Sequence, residues 1–192
     1  MRETSVCQFE HTIHVTAAPT KVIAAFFDPT SLATWWKTAR SVTTPRPLGI
    51  YAVEWEQTPF QDTVLGSLGG VFYGTVMEFR NGREFLVADA HWLPPESDPI
   101  GPMVLEVTCK VSGPATALTV RQSSSENGER WSRYYDLVAS GWIDSLTGLK
   151  DISNTMVNHA CLRAVSCFDD VSTYRHHRGR CHWIEYCLPP PE

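Results

Sequence analysis

Nowhere does the sequence hold the roughly eighteen continuous apolar residues of a membrane span, so no transmembrane helix is expected. Nor does it carry a long basic run. The formal net charge is −5, which excludes the electrostatic footprint of a nucleic-acid binder. The opening residues Met1-Arg2-Glu3-Thr4-Ser5-Val6-Cys7 lack the apolar stretch of a secretory signal, so the expected location is cytoplasmic, with thiols mostly reduced. Three signatures of enzymatic chemistry are also missing: the nucleophile elbow, the Walker loop and the dinucleotide fingerprint. Gly66-Ser67-Leu68-Gly69-Gly70 is glycine-rich but lacks the Lys and the spacing of a phosphate cradle. No cofactor is expected.

What is present suits one domain with a short appendage. In 192 residues, 43% are hydrophobic and 19% charged, enough apolar surface to offset the chain entropy lost on folding. Cysteine is unevenly placed: Cys7 and Cys109 lie in the body, whereas Cys161, Cys167, Cys181 and Cys187 crowd the C-terminal end. This asymmetry places a boundary near residue 150. Seven tryptophans supply large flat faces, each with one N–H that needs a partner, as a big core or an aromatic pocket would use.

Phe9, His11, Ile13 and Val15 alternate with polar neighbours, the period of a half-buried strand. Pro19 opens a short helix carrying Val22, Ile23, Phe26 and Phe27, and Asp28-Pro29 ends it. Thr30 or Ser31 is the expected cap of a second short helix through Leu32, Trp35 and Trp36. Tyr51, Val53 and Trp55 mark a strand, and residues 57–70 read as a loop. Val71–Phe79 and Phe85–Leu93 form a hairpin around Asn81-Gly82, a pair that tolerates positive φ. Two more strands follow, one alternating from Met103 to Val111 and the last carrying Thr116, Leu118 and Val120. Trp131, Tyr134, Tyr135, Val138, Trp142, Leu146 and Leu149 then recur at steps of three and four, one apolar stripe on a long helix. Strands segregated from helices predict an α+β fold.

In this order the residues resemble the START-like (SRPBCC) superfamily, and within it the group similar to the C-terminal domain of the heat-shock protein 90 ATPase activator. Ala18–Val22 with Phe26–Pro29 and Leu32–Trp36, then Gly49-Ile50-Tyr51, carry the first part of the likeness. Gly74–Phe79 with Arg83–Val87 and Trp92, then Leu118–Val120 and Gly141–Lys150, carry the rest. The resemblance spans about residues 8–152 and implies a helix-grip fold: a curved antiparallel sheet wrapped on a long C-terminal helix, with two short helices after the first strand. Residues 153–192 match no pattern and are expected to be a Cys/His-containing tail, partly helical or disordered.

Such a fold implies an internal cavity for a hydrophobic or aromatic small molecule. Trp36, Tyr51, Trp55, Tyr73, Trp92, Tyr134, Tyr135, Val138 and Trp142 are its expected lining. Two alternatives stay open: a cyclase- or hydratase-like enzyme using the same cavity, and co-chaperone-type docking to a chaperone partner. Asp89 and His91 share a strand face and could form an acid–base pair. The competing inward set Leu86, Ala88, Ala90 and Trp92 instead puts them in solvent, so no catalytic residue is assigned. Glu54, Glu56 and Glu78 read as solvated faces, and Arg121 and Gln122 as structural caps rather than readers of a polar ligand head. In the tail, five residues separate Cys161 from Cys167 and Cys181 from Cys187, outside the bite of a zinc ligand pair, so no metal site is expected.

Overall fold

The computed structural model describes the backbone from Cys7 to Ser166 and the side chains of residues 8–151. The described residues up to Asn158 form one compact unit. Of the second, His159–Glu192, only the backbone of the first residues is described, as helix. The tail expected from residue 153 onward, with its cysteines and histidines, thus lies outside the described side chains.

The element order is β1 (Cys7–Val15), α1 (Pro19–Ala25), α2 (Pro29–Trp35), β2 (Arg40–Thr43), β3 (Gly49–Trp55), β4 (Gln61–Asp62), β5 (Gly66–Ser67), β6 (Gly70–Arg80), β7 (Glu84–Leu93), β8 (Ile100–Ser112), β9 (Ala115–Ser124) and α3 (Glu129–Ser166). Seven strands pair antiparallel in the order β1-β9-β8-β7-β6-β3-β2, and β4 with β5 makes a separate small hairpin. The fold is α+β, a large curved sheet with one long helix and two short ones after the first strand: the helix-grip arrangement. Among the described residues no helix is long and apolar enough to cross a membrane.

Local chemistry explains the short helices. Pro19 stands at the start of α1, where its missing N–H costs nothing. The cap of α2 is neither Thr30 nor Ser31 but Asp28, whose carboxylate accepts from the Ser31 N–H (2.7 Å) and the Ser31 hydroxyl (2.6 Å). Asp28 therefore starts the second helix as well as following the first. The hydrogen bonds from Ser31 hold its carboxyl below the ordinary value. Two tryptophans at the end of α2 then diverge in role. Trp35 is buried and donates its N–H to Ala25 O (3.0 Å), whereas Trp36 stacks on it (ring centroids 5.1 Å apart) and reaches toward α3.

On β7 the expected inward set needs correction. Phe85 and Val87 are buried, and so are Ala90 and Trp92, so the phase of the alternation flips between residues 87 and 90. The pairing with β8 shifts register at the same place, and Asp89 sits at φ 49°. An extra residue in a strand reverses which face the following side chains occupy. Leu86 and Ala88 are thus not part of the inner set. Asp89 remains outside, with its side chain 80% exposed, and His91 stacks on Tyr73 (5.5 Å).

Inner-face residues of the sheet and α3 enclose the core. Phe26, Phe27, Tyr51 and Phe85 make one aromatic cluster, with Phe27 edge-on to Tyr51 (5.5 Å) and to Phe85 (4.8 Å). Tyr134, Tyr135, Trp142, Leu146 and Leu149 are the buried stripe of α3. The outer face carries ion pairs: Arg40 with Glu54 (2.8 Å) and Arg121 with Glu106 (2.5 Å). Arg121 therefore reads a neighbouring strand, not a ligand.

Candidate functional site

Between α3 and the inner face of the sheet lies a cavity of about 470 Å3, partly open to solvent. Trp36 comes from the end of α2, Trp55 from β3, Phe72 from β6, Trp92 from β7 and Gln122 from β9. Tyr134, Leu137, Val138, Gly141, Trp142, Asp144 and Ser145 come from α3, successive turns of one helical face. Thr58, Leu65, Leu68 and Gly69 close it from the segment holding the β4–β5 hairpin. Among the described residues, Lys37 and Asp144 are its charged lining side chains, and both are exposed.

Six of the nine residues expected from the sequence, Trp36, Trp55, Trp92, Tyr134, Val138 and Trp142, meet here. Three do not. Tyr73 is outward, 41% exposed, because Phe72, Gly74 and Val76 take the inner positions of β6. Tyr51 is fully buried but packs against Phe27 and Phe85 in the core, away from the lining. Burial alone pushes its phenol well above the ordinary value. Tyr135, one step round the helix from Tyr134, stacks instead on Trp131 (6.1 Å).

The tryptophans are held in place by their own N–H groups. Trp55 donates to Trp36 O (2.9 Å), Trp92 to Gly69 O (2.8 Å) and Trp142 to Gln122 Oε1 (3.1 Å). Their faces interlock: Trp36 lies edge-on to Trp55 (5.1 Å, 79°) and at 4.5 Å from Trp142. Trp55, Trp92 and Trp142 are thereby each fixed at two ends, by packing and by one directional bond, and Trp36 by packing. Gln122, only 2% exposed, ties the corner together. Its Nε2 donates to the Tyr134 hydroxyl (2.8 Å) and to Met103 Sδ, and the Tyr134 hydroxyl donates to Met103 Sδ (3.3 Å). Burial raises the Tyr134 phenol above its ordinary value, partly offset by the bond from Gln122. Gln122 was expected to be a cap. Its period-two phase with Leu118 and Val120 is the signal that places it inward.

The cover segment also departs from the expected loop. Asp62, nearly buried, accepts from Arg133 Nε (2.8 Å) and Nη2 (2.6 Å) at one oxygen and from the Val64 and Leu65 N–H groups (2.9 and 3.0 Å) at the other. A second cluster holds the other strand: Ser67 Oγ donates to Glu96 (2.5 Å) and accepts from Gln57 and Gln61, and Ser97 Oγ donates to Leu65 O. These bonds are what keep Leu65 over the cavity, since a two-residue strand pair has little stability of its own.

The bond from Arg133, then those from Val64 and Leu65, lower Asp62 from 3.8 to about 2. A carboxyl depressed in the folded state adds stability above its unfolded value and loses that contribution as pH falls through the folded one. Asp62→Asn is therefore expected to be less stable than wild type at pH 7. The gap should narrow from about pH 4 downward and close near pH 2. Urea unfolding of both proteins at pH 7, 4 and 2.5 measures this, and a pH-independent gap contradicts the assignment.

Other ionisable groups are not aimed into the cavity. Burial pushes the Cys109 thiol up to about 12, and it does not line the site. Asp89 and His91 are on the far face of the sheet. Among the described residues no group of three or more His, Cys, Asp or Glu could hold a metal ion.

No protein-family model matches the chain, and no curated protein matches it. Solved structures do. Protein Ms6760 from Mycobacterium smegmatis superposes with a TM-score of 0.63 at 14% identity, over 81% of this chain and 96% of that one. Protein CV1439 from Chromobacterium violaceum gives 0.55 at 20% identity, over 77% and 96%. The Aha1 dimer from Colwellia psychrerythraea gives 0.52 at 15% identity, over 75% and 93%. At such identities the likeness is one of fold alone.

Proposed function

We propose that this protein binds a hydrophobic, largely aromatic small molecule in the cavity between α3 and the sheet. One observation carries the reading: about 470 Å3 of space is walled by four indoles, Phe72 and Tyr134, with Gln122 as the buried polar side chain among them. A mostly apolar concave site with a few placed polar groups is the pattern of small-molecule pockets. Packing could have filled this volume, since protein interiors close voids larger than a water molecule. Catalysis would need a titratable group aimed at the guest. The lining groups of that kind are Lys37 and Asp144, both exposed, and Tyr134, whose hydroxyl is already engaged. Binding without a reaction therefore fits the geometry better than cyclase- or hydratase-like chemistry. Chaperone docking has only the fold likeness in its support.

Gly141 offers the cleanest test. It lines the cavity from within α3, yet a side chain there would meet no atom within 4 Å at its Cβ. Glycine inside a helix is less favourable than most residues by up to about 1 kcal/mol. Gly141→Leu is thus expected to leave the thermal melt unchanged or slightly higher while obstructing the cavity. Titration with an apolar fluorescent probe should show saturable binding to wild type and at least tenfold weaker binding to the variant (about 1.4 kcal/mol). Equal binding to both would reject this cavity as the site.

A further inference from the structure

We propose that the cavity selects an uncharged guest bearing a hydrogen-bond donor, a hydroxyl or N–H, and receives that donor at Gln122 Oε1 and the Tyr134 hydroxyl oxygen. The proposal rests on the binding reading above and specifies its ligand class.

It follows from counting donors and lone pairs at the inner corner. An indole N–H can only donate, so the bond from Trp142 obliges Gln122 to turn its carbonyl oxygen toward it. The amide nitrogen then points the other way. Its two hydrogens meet the Tyr134 hydroxyl oxygen and Met103 Sδ. The Tyr134 hydrogen goes to Met103 Sδ as well. Met103 is buried and does not line the cavity, so it holds the corner from behind. The donors of Gln122, Tyr134 and Trp142 are all used within the protein. What remains is acceptor capacity: one lone pair on Gln122 Oε1 and one on the Tyr134 oxygen.

Along the walls Trp55 and Trp92 also spend their N–H groups on backbone carbonyls. The Trp36 N–H, by contrast, has no hydrogen bond among the described residues, and the Thr58 and Ser145 hydroxyls line the cavity too, so the shortage of free donors belongs to the inner corner. A carboxylate entering the corner would lose its hydration and face lone pairs, with no buried cation among the described residues to replace the water. Lys37 is exposed, as is Asp144, which also lines the site. An apolar guest without a donor would leave the second lone pair of each oxygen dry, a desolvation cost with no return. A neutral hydroxyl or N–H on a flat body meets both conditions.

Three naphthalenes of one shape separate the possibilities: 2-naphthol, 2-methoxynaphthalene and 2-naphthoate, titrated into the full-length protein at pH 7 and followed by heat or tryptophan fluorescence. Naphthol, neutral at this pH, is expected to bind about tenfold more tightly than the ether, and naphthoate more weakly than either. Gln122→Met keeps the length but removes the amide, and should bring naphthol and ether level. Trp142→Phe supplies a second readout if that variant does not fold. Without the indole N–H the amide is free to turn its N–H2 outward, so the ether should gain on naphthol. Equal saturable binding of naphthol and ether to wild type overturns the donor selection while leaving the cavity reading standing. Tightest binding by naphthoate also overturns it. Failure of all three to bind removes the binding reading for flat bicyclic guests, and this proposal with it.

Discussion

Trp142→Ala is expected to lower stability by roughly 3–5 kcal/mol and to abolish saturable binding of an apolar fluorescent probe. The side chain is 5% exposed and joins three separate elements. Its ring lies 4.5 Å from Trp36 and 6.5 Å from Trp35, which anchors α2 to α3, and its N–H orients Gln122 on β9. Truncation removes the packing, leaves a cavity that relaxes only in part, and frees the amide that fixes the polar corner. The two effects can be told apart. Trp142→Phe retains most of the apolar contact but loses the N–H, so it should recover much of the stability and less of the selectivity between naphthol and its ether. Urea unfolding beside probe titration checks both parts. A Trp142→Ala protein that stays folded at the assay temperature and binds as wild type would remove this residue from the site.

The sheet and the long helix were legible in the sequence because their signals are periodic and long. The α3 stripe from Trp131 to Leu149 repeats over five turns, and the strand alternation of Met103, Leu105, Val107 and Cys109 is unbroken. Legibility stops where geometry breaks the period. On β7 the bulge at Asp89 shifts the inner face from Phe85 and Val87 to Ala90 and Trp92, and no alternation count survives an extra residue. Residues 57–70 hid the cavity cover for a different reason. Its strands are two residues long, and what orders them is a set of side-chain bonds to distant partners, Arg133 and Glu96, that no local pattern announces. At the site itself, aromatic residues were found by type. Tyr51 and Tyr73 show the limit of that criterion, since one fills the core and the other faces out. Gln122, near the end of its strand, reads as a structural cap, although its strand phase points inward.

The hinge beneath the cavity cover yields the other large effect. Gly69 and Gly70 return the chain from β5 to β6, both at positive φ (119° and 84°), where residues with a side chain are strained. A Cβ on Gly70 would stand 2.0 Å from Leu93 O and one on Gly69 2.5 Å from Glu56 O. Both obstacles are backbone atoms, so no rotamer change relieves them. The closeness has a use: Gly70 pairs with Trp55 across the β3–β6 ladder, and Gly69 O receives the Trp92 N–H. Two of the four cavity indoles are thus referenced to this one crossing. Gly70→Ala is expected to cost roughly 1–3 kcal/mol from backbone strain alone and more from the displacement of Leu93. Gly66→Ala serves as the control. It has a similar φ of 78°, but its Cβ would come no closer than 3.9 Å to Ser97, so it carries the conformational cost without the collision. The difference between the two variants in urea unfolding reports the crowding. Because the displaced strands carry Trp55 and Trp92, Gly70→Ala should also weaken probe binding well beyond Gly66→Ala, and equal stability and binding in the two variants would show that the crossing does not position the site.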